Sequence, residues 1–197
     1  MSAMTVSAPA TRPMLIAEYL EREFLAPTKS EFVDGELIDM AGVREPHVLI
    51  VSNLVAELHS KLKGKPCRVY STDMRVRIAD RPRYRYPDVF IICGPTQFDK
   101  ADARQMSVTN PRVIIEVLSP STAAYDRGDK WILYQRLASL QEFVWVAQDR
   151  RQVEVWRRGG DGWVHSAHAA GSRATLPSID FELDVDELYD LAGVKVS

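Results

Sequence analysis

Several features that would assign this chain to a familiar class are scarce or missing. The 197 residues include two cysteines, Cys67 and Cys93, which lie in apolar runs and suggest neither a disulfide framework nor a Cys-x-x-Cys metal clip. We therefore expect a reducing cytoplasm as its setting. Because no apolar run approaches the roughly 20 residues of a membrane helix, we expect no membrane association. The first dozen residues lack the basic start and apolar core of a secretion signal.

An excess of charge of one sign is also missing. The 25 basic and 27 acidic side chains give a formal net charge of −2, so nucleic-acid binding would need a local basic patch. No phosphate-binding loop, Gly-x-Gly-x-x-Gly or Gly-x-Ser-x-Gly occurs, which leaves nucleotide hydrolases and serine hydrolases without support. His165 and His168 stand three residues apart, but no cysteine or third histidine accompanies them, so we expect no zinc site.

The apolar residues present predict a mixture of helices and strands. A proline followed by helix formers predicts a short helix at 13–23, and apolar steps of three and four predict an amphipathic helix at 46–64. Asp34-Gly35, between two short runs, predicts a β-hairpin. Strands are predicted at 67–78, 86–93, 111–118, 142–148 and 153–158, and further helices at about 126–138 and near 184–193.

This order of elements predicts an α/β fold in which a central mixed β-sheet is flanked by helices, with an N-terminal helix and β-hairpin. We expect a single domain over residues 13–192. It would lie between a flexible N-terminal tail at 1–12 and a C-terminal tail at 193–197.

Two acids stand where apolar residues would be expected. Glu116 interrupts the apolar run 113–118, and Asp88 opens the apolar run that ends at Cys93. A buried, ionised carboxylate is costly unless it is paired, metal-bound or neutralised. If the two strands are neighbours, both carboxylates meet at one sheet edge, where Mg²⁺ would suit them. The ordinary alternatives are a turn residue for Asp88 and, for Glu116, a structural ion pair with an arginine such as Arg75.

The segment after Glu116 supplies a cation. Asp126, Lys130 and Tyr134 stand four residues apart, so they line one face of the predicted helix. If that helix folds back on the sheet, the Lys130 ammonium can reach Glu116. Alternatively, Asp126 and Lys130 form a solvated ion pair and Tyr134 packs at the edge of the core.

Arginines alternate along the segment 75–85 and could follow a phosphate backbone. The alternative is a solvated face of the sheet. The candidates for contact with nucleic acid are Arg75, Arg77, Arg83 and Arg85.

Four stretches carry a resemblance to a known family. They are "YPDVFII" (86–92), "VIIEVLSPST" (113–122), "DRGDKWILY" (126–134) and "EFVWV" (142–146). Together they resemble the restriction endonuclease domain of the Uma2 type, which belongs to the PD-(D/E)XK phosphodiesterase superfamily. The likeness covers about residues 15–190 and implies a restriction-endonuclease-like core.

The resemblance implies roles for individual residues. Asp88 would be the acid of the Pro-Asp half-motif and Glu116 the acid of the second half. The superfamily pattern places lysine where this chain has Leu118, but in relatives of this type the lysine lies on the following helix, which implies Lys130. The two acids and the Val117 backbone carbonyl would hold Mg²⁺ or Mn²⁺, while Lys130 would orient water or stabilise the transition state.

The expected activity is therefore metal-dependent endonucleolytic cleavage of nucleic acid, with DNA preferred over RNA by analogy alone. Glu31, His47, Asp126 and Tyr134 would support the site from outside the metal ligands. A homodimer would fit, because duplex cleavage needs two sites. One alternative is a catalytically degenerate nuclease fold that acts as a nucleic-acid-binding or regulatory module. Another is a phosphohydrolase of small nucleotides, which would have a closed pocket.

Overall fold

The computed structural model describes residues 13–40, 42–71, 73–78, 83–119, 128 and 130–194. The predicted N-terminal tail, 1–12, lies outside the described residues, as do residues 195–197 of the predicted C-terminal tail.

The described elements are four α-helices, one 3-10 helix (Pro177–Ile179) and thirteen strands. The helices are α1 (Ile16–Leu25), α2 (Glu45–Leu62), α3 (Trp131–Tyr134) and α4 (Val185–Leu188). The strands are β1 (Ser30–Val33), β2 (Glu36–Asp39), β3 (Cys67–Ser71), β4 (Arg75–Ile78), β5 (Arg83–Arg85), β6 (Val89–Cys93), β7 (Ser107–Val108), β8 (Val113–Leu118), β9 (Glu142–Ala147), β10 (Gln152–Gly159), β11 (Gly162–Ala169), β12 (Arg173–Leu176) and β13 (Phe181–Asp184).

The central sheet has six strands in the order β11-β10-β9-β8-β6-β3. It is mixed, because β8 and β9 run parallel whereas the other neighbouring pairs are antiparallel. Apolar side chains fill both faces of β8 and β9, as expected for strands covered on both sides. The predicted α/β class with a mixed sheet is confirmed.

A second sheet of five strands has the order β2-β1-β5-β4-β7. Its β1–β2 hairpin turns at Asp34-Gly35, as predicted, and both residues have positive φ, 51° and 95°. A Cβ atom on Gly35 would lie 2.5 Å from the Pro13 Cβ, so this turn also requires glycine for space. Helix α1 covers the sheet through Tyr19, which stacks on Phe32.

The single strand predicted at 67–78 is wrong. The segment forms β3 in the six-stranded sheet and β4 in the five-stranded sheet. After β3 the Asp73 amide donates to the Ser71 carbonyl, which turns the chain from one sheet to the other. Both halves alternate in the same way, so hydrophobic period alone cannot reveal the change of sheet.

The prediction that the cysteines form no disulfide is also wrong. Cys67 and Cys93 stand directly opposite each other in the antiparallel β3–β6 pair and are joined by a disulfide. Their separation of 26 residues gave no hint of this cross-strand register. A reducing compartment is therefore no longer indicated by the cysteines. Within the described part of the chain, no helix is both long and apolar enough to span a membrane.

The two faces of the six-stranded sheet pack against different partners. One face, which includes Ile115 and Val117, is aliphatic and packs on α2, α4 and the β12–β13 hairpin. The other face, which includes Ile114, packs on α3 and is rich in aromatic rings. Side chains alternate along β8, so Glu116 lies on this second face.

The helix predicted at about 126–138 is shorter where it is described. Residues 126, 127 and 129 lie outside the described part, Gly128 and Lys130 are π-helical, and the α-helix spans Trp131–Tyr134. The Arg136 and Leu137 amides then donate to carbonyls only three residues back, a tighter turn that ends the α-helix.

Candidate active site

Asp88 and Glu116 meet at one end of the β6–β8 pair. Val89 lies opposite Ile115 in this antiparallel register, so the next pair outward places Asp88 opposite Glu116. Asp88 follows Pro87. Its Oδ2 atom accepts a hydrogen bond from the Val117 amide at 2.7 Å, in the place of a backbone carbonyl. The prediction that the strands carrying the two acids are neighbours is confirmed.

Lys130 reaches the first of these acids from the segment that precedes α3. Its Nζ atom lies 2.9 Å from Glu116 Oε1, and both residues are buried, with exposures of 7% and 3%. The alternative of a solvated lysine therefore does not hold. The predicted approach of Lys130 to Glu116 is confirmed, and Lys130 is a π-helical residue that leads directly into α3.

Tyr134 binds the same carboxylate. Its hydroxyl donates to Glu116 Oε1 at 2.9 Å, while its ring packs on Phe143 with 5.2 Å between centroids. Burial, and then the charge of Glu116, raises the pKa of Tyr134 well above its usual value. The phenol therefore stays protonated at neutral pH and remains a hydrogen-bond donor.

Glu31 brings a third carboxylate from the five-stranded sheet. Its Oε2 atom pairs with Arg85 Nη1, and its Oε1 atom accepts the Tyr86 amide at 3.2 Å. Lys130 Nζ lies 4.0 Å from the same Oε1 atom. Glu31 is only 6% exposed. Lys130 therefore lies between a buried carboxylate of the five-stranded sheet and one of the six-stranded sheet.

His47 contacts the other acid of the site. It lies in the first turn of α2, and its Nε2 atom is 3.2 Å from Asp88 Oδ2. The side chain is 10% exposed, so His47 is not a surface histidine. Asp126, the remaining predicted supporting residue, lies outside the described residues.

The arginine predictions require correction for two of the four residues. Arg75 and Arg85 are each 1% exposed and pair with Asp102 and Glu31, so neither guanidinium faces solvent where it could contact a phosphate. Arg83 pairs with Asp34 at the hairpin turn and keeps 14% side-chain exposure. Arg77 is 31% exposed and, with Arg83, stays a candidate for nucleic-acid contact.

The reason for these errors is local. Arg75 and Arg85 lie on paired inner strands, where β5 contacts β1 and β4 on its two sides. Tyr84 and Tyr86, which flank Arg85, are the sequence signal that this part of the segment is interior. The alternation of arginines, considered without those neighbours, suggested contact with a phosphate backbone. The interaction between Arg85 and Glu31 could not be predicted from sequence spacing.

The donor atoms near Asp88 suit a hard cation. The Gln148 amide donates to the Leu118 carbonyl on the β9 side, so the preceding carbonyl, that of Val117, points to the β6 side where Asp88 lies. Two carboxylates and a backbone carbonyl are ligands that Mg²⁺ or Mn²⁺ accepts, with water completing the shell. Among the described residues, no group of three or more His, Cys, Asp or Glu side chains forms a fuller metal cage.

Comparisons with known proteins point to one family. Residues 16–186 match the family described as "Uma2: Putative restriction endonuclease". Two uncharacterized proteins of Synechocystis sp. are similar: sll1609 is 38% identical over 151 residues (77% of this chain, 84% of that protein), and slr1290 is 33% identical over 178 residues (87% and 89%).

A solved structure has the same fold. It is the crystal structure of a protein from Anabaena variabilis described as a putative nuclease belonging to DUF820. The two structures align with a TM-score of 0.70 at 17% identity, covering 88% of this chain and 98% of that chain. The restriction-endonuclease-like fold is thereby confirmed.

Proposed function

Because the chain belongs to the Uma2 family of putative restriction endonucleases, we propose that it is a metal-dependent endonuclease that hydrolyses phosphodiester bonds of DNA. The observation that carries the proposal is the position of Lys130. Its ammonium lies 2.9 Å from Glu116, in the strand next to Asp88. A degenerate binding module would not need a buried lysine beside two facing acids.

Asp88, Glu116 and the Val117 carbonyl would hold Mg²⁺ or Mn²⁺. A bound divalent ion supplies an acidified water and neutralises charge on the phosphate oxygens. The protein fixes the ligands: the Val117 amide orients Asp88 at 2.7 Å, and Tyr134 orients Glu116 at 2.9 Å. Such fixed ligands reduce the reorganisation needed when charge develops during the reaction.

Lys130 would act on the attacking water or on the phosphate oxygens. Its ammonium lies 2.9 Å from the Glu116 carboxylate, which would hold the ion, so it would stand near the negative charge that increases in the transition state. The shift of the lysine from position 118 to position 130 is therefore compatible with chemistry, because Leu118 packs in the core on the same face of the sheet. His47 would help to hold Asp88, because its Nε2 atom contacts the same Oδ2 atom that accepts the Val117 amide.

DNA as substrate, a homodimer and a cytoplasmic setting are parts of the same proposal. Arg77 and Arg83 are the partly exposed arginines of the predicted basic segment. Both already contact an aspartate, so their contribution to nucleic-acid affinity would be modest and salt-dependent.

The proposal is tested by plasmid nicking with Mg²⁺ or Mn²⁺. Wild-type protein should nick, while Glu116→Gln and Asp88→Asn, which keep the side-chain shape, should each lose the activity. The matched control is Glu142→Gln, a buried acid on β9 that binds Ser178 away from the site. Equal nicking by wild type and Glu116→Gln would overturn the proposal, since the activity would then come from elsewhere.

A further inference from the structure

Four buried charges of alternating sign form a row that crosses from one sheet to the other. The row runs from Arg85 through Glu31 and Lys130 to Glu116, with exposures of 1%, 6%, 7% and 3%. Each charge has an opposite charge as its neighbour in the row. Such pairs are weakly screened, so moving one charge changes the force on the next.

Lys130 lies between two carboxylates that compete for it. Its Nζ atom is 2.9 Å from Glu116 Oε1 but 4.0 Å from Glu31 Oε1. The difference has a visible cause, because Glu31 is already bound by Arg85 at one oxygen and by the Tyr86 amide at the other. Glu31 thus attracts the ammonium without capturing it.

We propose that Arg85 and Glu31 are positioning residues that set where the Lys130 ammonium rests. Arg85 offsets the charge of Glu31, and Glu31 holds Lys130 from the side away from Glu116. The five-stranded sheet would thereby tune a residue of the site on the six-stranded sheet. The consequence for catalysis rests on the proposed function, whereas the position of the amine does not.

A second ion pair in the same sheet provides a matched comparison. Arg75 and Asp102 lie 2.9 Å apart, and both side chains are 2% exposed. Asp102 also accepts the Ser107 hydroxyl and the Met106 amide. This pair resembles the Arg85–Glu31 pair in chemistry and burial, but within the described part of the chain neither Arg75 nor Asp102 contacts Lys130.

Variants that remove one or both charges separate positioning from folding. In Arg85→Met the negative charge of Glu31 is no longer offset, so Glu31 should draw the Lys130 ammonium away from Glu116. We expect kcat to fall about tenfold while KM stays within twofold of wild type, because a small misplacement of a catalytic group is costly. Adding Glu31→Gln removes the competing charge, so the double variant should recover to within about threefold of wild type. Arg75→Met and Asp102→Asn are the controls, compared at temperatures where each variant is folded.

The position of Lys130 can also be measured without nuclease activity. Acylation by an amine-reactive reagent, followed by mass spectrometry, gives the rate at Lys130 relative to exposed Lys100. Wild-type Lys130 should react slowly, and Glu31→Gln should raise its rate about fivefold because one holding charge is lost. Asp102→Asn should leave the rate unchanged.

The outcomes are distinct. Recovery in the double variant together with faster acylation in Glu31→Gln would support the proposal. Unchanged acylation in Glu31→Gln, a double variant no better than Arg85→Met, or the same pattern in the Arg75–Asp102 controls would overturn it. If wild type shows no Glu116-dependent nicking, the proposed function fails, and acylation still decides whether Glu31 positions the amine.

Discussion

The two faces of strand β8 differ more than its continuous apolar sequence suggests. Ile115 and Glu116 are adjacent and buried, with exposures of 0% and 3%. Ile115 points into the aliphatic face, which packs against α2 and α4. Glu116 points into the aromatic face, where Lys130 and Tyr134 bind its carboxylate.

A buried tyrosine on each side of the sheet makes the same contrast. Tyr189 packs in the aliphatic cluster and donates to the Ala147 and Gln152 carbonyls at 2.6 and 2.9 Å. Tyr134 packs in the aromatic cluster and donates to a side-chain carboxylate. The Tyr189 hydroxyl binds backbone carbonyls, whereas the Tyr134 hydroxyl binds Glu116, a residue of the proposed active site. In this sheet, the aliphatic face therefore serves stability, and the aromatic face carries the residues of the proposed function.

The largest effect is expected from Lys130→Met. This change leaves the Glu116 and Glu31 carboxylates without a shared cation, and breaking a buried ion pair costs roughly 3–5 kcal/mol. Nicking should fall at least about 100-fold, because a stabilising donor is lost from the site. Urea unfolding and plasmid nicking measure the two effects. Wild-type nicking by the folded variant would show that the amine has no part in the reaction.

A large effect confined to stability is expected from Ile115→Ala on the opposite face. The cavity should lower the free energy of unfolding by about 2–5 kcal/mol, and Ile115→Val by about 0.5–1.5 kcal/mol. Nicking per folded molecule should stay close to wild type, because the side chain points away from Glu116. A loss of nicking larger than the loss of folded protein would mean that the two faces are coupled.

Much of this contrast could be predicted from the sequence, because β8 and Glu116 are local features. Alternation along a strand places Glu116 and Ile115 on opposite faces, and the spacing of Lys130 and Tyr134 places them together. The contact between Lys130 and Glu116, and the adjacency of the strands that carry Glu116 and Asp88, followed from these rules with the family resemblance. Their catalytic roles stay predictions.

The remaining parts depend on contacts that sequence spacing does not encode. Glu31 pairs with Arg85 across 54 residues, and the register between β1 and β5 determines that pairing. The same kind of register placed Cys67 opposite Cys93. The other buried arginine, Arg75, pairs with Asp102, which lies in the loop between β6 and β7. Local periodicity identifies a strand and its faces, but only tertiary pairing identifies the neighbour.

A smaller and paired effect is expected from Tyr134→Phe and Tyr189→Phe. Each change removes a buried hydroxyl donor, which should cost about 1 kcal/mol of unfolding free energy. Tyr134→Phe should also slow nicking, because Glu116 loses one of the groups that orient it. Tyr189→Phe should leave nicking unchanged. Equal slowing by both variants would indicate a general loss of rigidity instead of a specific role for Tyr134.

The smallest effect should appear in alkaline solution and should be common to both faces. Burial is the main cause that raises the pKa of Tyr134 and of Tyr189 above the usual value. An unfolded tyrosine ionises near pH 10, whereas the folded residue keeps its proton, so stability is lost as pH rises through that value. At pH 10 the loss is about 0.4 kcal/mol for each such tyrosine, from RT ln 2.

Urea titrations at pH 8 and pH 10 measure this loss in wild type and in both phenylalanine variants. Each variant should lose about 0.4 kcal/mol less than wild type between the two pH values, since phenylalanine does not ionise. The two reductions should be equal although one phenol binds a carboxylate and the other binds carbonyls, because both folded phenols keep their protons at pH 10. If only Tyr134→Phe reduced the alkaline loss, Tyr189 would ionise in the folded protein by pH 10, and burial alone would not be enough to keep a phenol neutral in this fold.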